Sequence, residues 1–219
     1  MKRLLPWGIV VTCGLIVLVV LLLLIPLALQ PFGDRMNPGV QAVRSLALAL
    51  YSYGLDHGGK YPEGKNSTEI FQKLIDEGYI YDGELLYLPM PGKAGALAGT
   101  LKANTARLRP ENVCWDITYC GDSGSADHLP LVFLTGYKVI YQPGARALSL
   151  HEPSSQNRWA LWWSGKKPSL PVGWMENGSC CGRSIDASPD GTIPNFIPAD
   201  FDLKGKTYRQ ITPDGEFRP

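Results

Sequence analysis

Four cysteines in the second half of the chain are the residues best suited to chemistry. Cys114 and Cys120 are six positions apart, whereas Cys180 and Cys181 are adjacent. Thiols outside the cytoplasm form lasting disulfides, and four cysteines allow three pairings. We expect each of the adjacent cysteines to bridge to one of the distant two. A zinc site is the alternative, but zinc usually requires a Cys-x-x-Cys spacing. The spacing therefore favours disulfides and predicts neither a metal nor a cofactor.

The three histidines are the candidates for acid–base chemistry. His57 ends a predicted helix, where a protonated imidazole interacts favourably with the helix dipole. His128 follows a polar loop, and Asp116 and Asp127 are the carboxylates with which it could pair. His151 borders a predicted turn and indicates no specific role.

A serine-containing loop precedes His128. Its string Gly121-Asp122-Ser123-Gly124 resembles the nucleophile segment of trypsin-like serine proteases, which implies a hydrolase that uses Ser123 and His128. The chain continues with Ser125 where that family has glycine, and the family's histidine motif is missing. A flexible tip of turn-forming residues is the favoured interpretation. We therefore predict no catalytic residues and no enzymatic activity.

Acidic residues near the C-terminus offer oxygen ligands of the kind that calcium prefers. The spacing of an EF-hand loop is missing, and Asp-Gly pairs are common turn formers. The sequence favours turns over calcium for this set: Asp186, Asp190, Asn195, Asp200 and Asp202.

A group of tryptophans is a candidate for either the core or a binding surface. Aromatic side chains are enriched at interfaces, although a small sheet also needs them in its core. The core is the favoured interpretation, and the surface is the alternative for these residues: Trp159, Trp162, Trp163 and Trp174.

The N-terminal segment has the most distinctive composition. No charged side chain lies between Leu4 and Leu29, and roughly 20 apolar residues cross a bilayer. Lys2 and Arg3 precede this stretch, which predicts a cytoplasmic N-terminus. A cleaved signal peptide is the alternative, but its apolar core is shorter. We predict one transmembrane helix in the lipid bilayer of the cell (inner) membrane, with Cys13 as an apolar filler.

The rest of the chain suits a single domain. We predict a membrane anchor and its exit over 1–33 and an extracytoplasmic domain over 34–219. The net charge is +1 and no basic cluster occurs, so nucleic acid is not an expected partner. The content of 24 glycines and 18 prolines favours a domain rich in strands and loops.

The predicted elements place helices before strands. Asn37-Pro38 predicts the start of a helix that ends near Asp56, and Asn66 with Glu69 predicts a second helix that ends at Gly78. The predicted strands are Val113–Thr118, Leu131–Thr135, Tyr137–Tyr141, Ala147–Leu150, Arg158–Trp163 and Lys206–Ile211. The rest of 164–219 is predicted to be loop. Segregated helices and strands indicate an α+β fold with a small antiparallel sheet and long loops.

The end of the first predicted helix carries a family resemblance. Tyr53 is followed by Asp56-His57-Gly58-Gly59 and then by Tyr61-Pro62, and Gly78-Tyr79-Ile80 comes later. This layout resembles type IV pilins and the pseudopilins of type II secretion systems. The chain departs from that family in its N-terminal segment, which lacks the prepilin leader motif and any glutamate. The resemblance implies a pilin-like domain.

Two functional hypotheses follow. The first is a membrane-anchored, non-enzymatic pilin- or pseudopilin-like protein that associates with a secretion or pilus-type assembly. Its partners would be the lipid bilayer and other pilin-like subunits. The alternative is an anchored extracytoplasmic binding module that uses the tryptophans and the loops held by cysteines.

Overall fold

The structure is a computed structural model. It describes residues 37–90, 92–95, 107–121, 128–150, 169–188, 190–203 and 205–216. The predicted membrane segment Leu4–Leu29 lies outside these residues, as do the predicted strand Arg158–Trp163 and residues 122–124 of the serine string.

The first helix, α1, spans Pro38–Asp56. The side chain of Asn37 accepts hydrogen bonds from the backbone N–H groups of Gly39 and Val40, and Pro38 occupies the first helical turn, where its missing N–H is not needed. His57 forms the C-cap. The predicted start and end of this helix are therefore confirmed.

The second helix, α2, spans Ser67–Asp76. Asn66 accepts a hydrogen bond from the backbone N–H of Glu69, and the Glu69 carboxylate accepts one from the N–H of Lys65. This reciprocal capping resembles a capping box and satisfies donors that a helix start leaves free. The predicted apolar face is fully buried: Ile70, Phe71, Leu74 and Ile75.

In the described part of the chain, eight strands form two sheets. The bounds are β1 Trp115–Tyr119, β2 Val132–Leu134, β3 Tyr137–Val139, β4 Ala147–Ser149, β5 Ser169–Glu176, β6 Ser179–Asp186, β7 Arg209–Thr212 and β8 Gly215–Glu216. The main sheet has six strands in the order β6-β5-β2-β1-β7-β8, and β3 pairs with β4. All of these pairs are antiparallel.

The β5–β6 hairpin contradicts the prediction that 164–219 is mostly loop. Eight residue pairs join its two strands, from Ser169 opposite Asp186 to Glu176 opposite Ser179. Asn177 and Gly178 connect them with φ values of 50° and 74°. Positive φ at both positions matches the twist of a two-residue hairpin, and Asn-Gly is its strongest sequence signal. The Asn-Gly pair is therefore the local signal for this hairpin in the sequence.

The two faces of the main sheet are covered differently. Helices α1 and α2 cover one face, which we name the helix face, and α1 lies against β2, β5 and β6. The opposite face, named the outer face, carries Phe133, whose ring contacts that of Phe196 at 5.1 Å between centroids. Because side chains alternate along a strand, each strand supplies residues to both layers.

Close backbone approach holds α1 on the helix face. A Cβ atom at Gly173 would overlap the backbone carbonyl of Val43. A Cβ atom at Gly182, the residue opposite Gly173, would lie 2.5 Å from the side chain of Arg44. This pair of glycines therefore lets the helix approach closer than any side chain would permit.

A buried polar network ties the outer face of β1 and β7 to the second sheet. The Gln210 side-chain amide donates to Asp116 and to the carbonyl of Tyr137, both at 2.6 Å, and accepts from the N–H of Val139 at 3.0 Å. Burial raises the pKa of Asp116 to about 7, although the hydrogen bond from Gln210 opposes that shift. The carboxyl therefore holds its proton far more readily than a solvated aspartic acid.

The fold class needs one correction. The described part is α+β, with two α-helices and an antiparallel sheet, but it does not contain the predicted transmembrane helix. Among the described residues, no helix combines the length and the apolar character needed to cross a membrane. Both helices are instead short and amphipathic, because each lays one apolar face on the sheet.

Candidate functional site

The outer face of the β5–β6 hairpin borders a cleft of about 350 Å³. Strand alternation directs Val172, Trp174 and Glu176 to this side, while Gly173 between them faces α1. The cleft is lined by His128, Pro130, Val172, Trp174, Glu176, Arg183, Ile185, Asn195, Phe196 and Pro198. Apolar walls with a few polar groups are typical of small-molecule sites.

Glu176 is the centre of the polar part of the cleft. Its Oε2 atom accepts a hydrogen bond from the indole N–H of Trp174 at 3.3 Å and a weaker one from the Cys181 thiol at 3.7 Å. Its Oε1 atom lies 4.0 Å from Nδ1 of His128. That distance exceeds a hydrogen bond, so Oε1 retains the capacity to accept one from a ligand.

Arg183 supplies the positive charge of the cleft. Its guanidinium carbon lies 5.2 Å from the centroid of the Trp174 ring, within the range of a cation–π contact. The contact holds the guanidinium beside the indole while its five N–H donors stay available. Glu176 and Arg183 therefore present an acceptor and several donors around one aromatic ring.

Two residues of the cleft have a left-handed backbone. His128 has φ of 65° and Asn195 has φ of 48°. Such values are uncommon outside glycine, although asparagine and histidine adopt them more readily than most residues. The N–H of His128 donates to the carbonyl of Met175 at 2.8 Å, which fixes the loop against β5. The conformation places the imidazole beside Glu176.

The cleft lacks the features of a thiol nucleophile. Burial, followed by the neighbouring Glu176 carboxylate, raises the pKa of the Cys181 thiol. A nucleophilic cysteine needs a lowered pKa, because the thiolate is the reactive form. The arrangement is suited to binding a ligand through stacking and hydrogen bonds.

The predicted tryptophan surface coincides with the cleft at one position. Trp174 is half-buried on the outer face of β5. The other three predicted members, Trp159, Trp162 and Trp163, lie outside the described residues. Sequence reasoning missed Glu176 and Arg183, although the Asn-Gly turn would have placed both on one hairpin. Asn195 was a candidate only for calcium, and it lines the cleft instead.

The predicted disulfides are wrong. In the part of the chain that the structure describes, no disulfide joins any two of Cys114, Cys120, Cys180 and Cys181. Cys114 and Cys120 flank β1, and two strands separate β1 from β6, so the sheet alone places the two groups about 14 Å apart. A disulfide requires Cα atoms within about 7 Å.

The adjacent cysteines also face opposite sides of β6. The Cys180 thiol donates to the carbonyl of Arg44 in α1, at 2.7 Å, whereas Cys181 faces Glu176 across the outer face. Cys114 is buried, and its sulfur contacts the backbone of Leu88. These three thiols therefore lie in separate environments.

Two of the remaining candidates, His57 and Asp190, have local roles. His57 stacks on Tyr53 at 3.8 Å between ring centroids, and its Nε2 atom lies 3.2 Å from Glu77. This confirms its position at a helix C-terminus. Asp190 accepts hydrogen bonds from the N–H and hydroxyl of Thr192, as a turn former does. These bonds lower the pKa of the Asp190 carboxyl.

The hydrolase and metal hypotheses gain no support from the described residues. Asp116 is fully buried against Gln210, whereas His128 lies beside the carboxylate of Glu176. Ser123, Ser125, Asp127 and His151 lie outside the described residues. Within the described ranges, no three histidine, cysteine or acidic side chains come together as a metal site would require.

Comparison with known proteins identifies no relative. No model of a protein family matches the chain, and searches of curated proteins and of solved structures found no match either. The resemblance to pilins and pseudopilins therefore stays a prediction from the sequence.

Proposed function

We propose that this chain is a non-enzymatic, pilin-like subunit of a secretion or pilus-type assembly, located at the cell membrane with its domain outside the cytoplasm. The proposal rests on the sequence between Tyr53 and Pro62 and on the way α1 lies along an antiparallel sheet. The apolar stretch 4–29 is the sequence basis for the location.

The observation that carries the proposal is a pair of exposed leucines on the side of α1 that faces away from the sheet. Leu48 is 50% exposed and Leu55 is 62% exposed, and the two are seven positions apart. That spacing places both on one helical stripe. Because α1 already packs its other side on the sheet, these two exposed leucines do not stabilise the isolated domain. A neighbouring subunit that packs on this stripe would bury both leucines.

Photo-cross-linking in cells tests this proposal. A photoreactive residue at position 48 is expected to give a covalent product with another pilin-like subunit or with a second copy of this chain, identified by mass spectrometry. The matched control is the same residue at position 148, because Leu148 is a 36% exposed leucine on β4. Equal products at both positions, or products without any pilin-like chain, would contradict the proposal.

A second candidate function is a binding module, and the cleft on the outer face favours it. The cleft combines an aromatic ring, a carboxylate and a guanidinium in a volume suited to a small ligand. The two functions are compatible, since α1 and the cleft lie on opposite faces of the same hairpin. A ligand that stabilises the wild-type chain in a thermal-shift screen, and does not stabilise Trp174→Ala, would support this function.

A further inference from the structure

We propose that the outer cleft binds a neutral, polyhydroxylated ligand of the sugar class. This inference rests on the binding function proposed for the cleft and adds the chemistry of its ligand. The cleft carries both an apolar wall and a hydrogen-bonding edge, and a sugar ring presents the same two surfaces.

The apolar wall is built from the outer face of the hairpin and from the segment after β6. Val172, Trp174 and Ile185 come from β5 and β6, and the buried Phe196 lies opposite them. An indole is a large, flat surface that stays partly exposed here. Such a surface gains more from a flat ligand with C–H groups on one face than from a fully hydrated ion.

The charges in the cleft argue against an ionic ligand. Glu176 contributes one negative charge at the N–H edge of the Trp174 ring, and Arg183 contributes one positive charge over one face of that ring. Their fields oppose each other at the position of a ligand, so neither an anion nor a cation gains a net attraction. A site built for phosphate would instead concentrate positive groups.

The donors and acceptors match a pair of neighbouring hydroxyl groups. A hydroxyl both donates and accepts, whereas a carboxylate only accepts and a guanidinium only donates. One hydroxyl can donate to Oε1 of Glu176 while the next accepts from Arg183. Among the residues that the structure describes, the Arg183 guanidinium and the Asn195 amide donate no side-chain hydrogen bond, so both remain available to a ligand.

Binding to an array of neutral oligosaccharides tests the inference. The array carries oligomers of glucose, galactose, mannose and N-acetylglucosamine, with hexose phosphates and glucosamine oligomers as charged probes. The full-length chain is purified without any sugar-headed detergent, and the hits are titrated by calorimetry. We expect saturable binding to a neutral series that Trp174→Ala and Arg183→Ala each weaken by at least about tenfold.

Matched controls separate binding from folding. Tyr81→Ala removes an exposed aromatic ring and Arg109→Ala removes an exposed guanidinium, both away from the cleft. Each variant is expected to bind the sugar with an affinity within about twofold of the wild-type value. Trp174→Phe keeps an aromatic ring and is expected to retain part of the affinity, and circular dichroism establishes that each variant folds.

The outcomes distinguish the ligand class from the binding function itself. Binding restricted to charged probes, weakened by the same two cleft variants, would overturn the sugar assignment and leave the cleft as a binding site. Binding that the cleft variants do not weaken, or no saturable binding to the array, would overturn the sugar assignment. In that case, a thermal-shift screen that also yields no ligand sensitive to Trp174→Ala removes the binding function as well. The proposal for subunit assembly depends on Leu48 and Leu55 and is unaffected by either result.

Discussion

The two faces of the β5–β6 hairpin perform opposite tasks with alternating residues of the same two strands. On the helix face, Gly173 and Gly182 bring α1 so close that a Cβ atom would meet its backbone or side chains. On the outer face, Trp174 and Glu176 flank a cleft of about 350 Å³. A single strand can therefore combine a site that tolerates almost no added atom with a site that leaves room for a ligand.

The largest effect is expected from Gly173→Ala. Its Cβ atom would overlap the carbonyl of Val43, which belongs to the helix backbone and cannot rotate away. We expect a loss of about 4 kcal/mol in the free energy of unfolding, measured by urea denaturation.

Gly182→Ala provides the graded control for that variant. Its Cβ atom would meet chiefly the flexible side chain of Arg44, so we expect a smaller loss of about 1–2 kcal/mol. Equal losses at the two positions would mean that rigid backbone contact does not control the fit of α1.

The next largest effect is a dependence of the free energy of unfolding on pH, caused by the buried carboxyl of Asp116 on the outer face. The pKa of Asp116 is about 7 in the fold, above its ordinary value of 3.8, so the folded state binds the proton more tightly. This contribution is complete below pH 3.8 and is lost as pH rises through 7. A decline of roughly 3 kcal/mol is expected between pH 4 and pH 8.

Asp116→Asn should remove most of this decline, because the amide stays neutral and its oxygen can still accept from Gln210. The variant should therefore be more stable than the wild type at pH 8 in denaturation experiments. Asp190→Asn is the control, since its carboxyl is exposed and has a lowered pKa. Parallel pH profiles for wild type and Asp116→Asn would contradict the assignment.

A moderate effect is expected at the turn that joins the two strands. Gly178 has φ of 74°, where an added Cβ atom strains the backbone. Gly178→Ala should lower the free energy of unfolding by about 1 kcal/mol. Ser179→Ala, one residue later with ordinary strand geometry, should change it by less than about 0.5 kcal/mol in the same assay.

The smallest effect on stability is expected in the cleft itself. Arg183 is exposed and contacts Trp174 through a cation–π interaction, so Arg183→Ala should cost no more than about 1 kcal/mol by thermal denaturation. A loss as large as that of Gly173→Ala would mean that the outer face is part of the structural core, and the contrast between the two faces would fail.

Elements with local determinants could be predicted from the sequence. Asn37-Pro38 sets the start of α1, and Asn66 with Glu69 sets the start of α2, because each cap is satisfied within one turn. The strand near Lys206–Ile211 was found with shifted bounds, as β7 begins at Arg209. Strand ends depend on pairing partners, which are distant in sequence.

The β5 strand shows where local signals mislead. Pro171 and Gly173 disfavour a strand by propensity, and both are buried in one. The glycine is required by the closeness of α1, and the helix lies more than a hundred residues earlier in the chain. Only the Asn-Gly turn could have revealed this hairpin in advance, since its positive φ values are a local requirement.

The sequence by itself determined the two helix starts, the segregation of helices from strands and the turn that closes the β5–β6 hairpin, because short-range hydrogen bonds and backbone preferences decide them. Tertiary structure alone decided the order of the strands. That order keeps β1 and β6 too far apart for a disulfide between their cysteines in the described part of the chain. The tertiary fold also brings His128 and Asn195 to the cleft that Trp174, Glu176 and Arg183 of the hairpin line. The reason is physical: contacts across a sheet depend on the strands that lie between the residues, and sequence spacing does not report them.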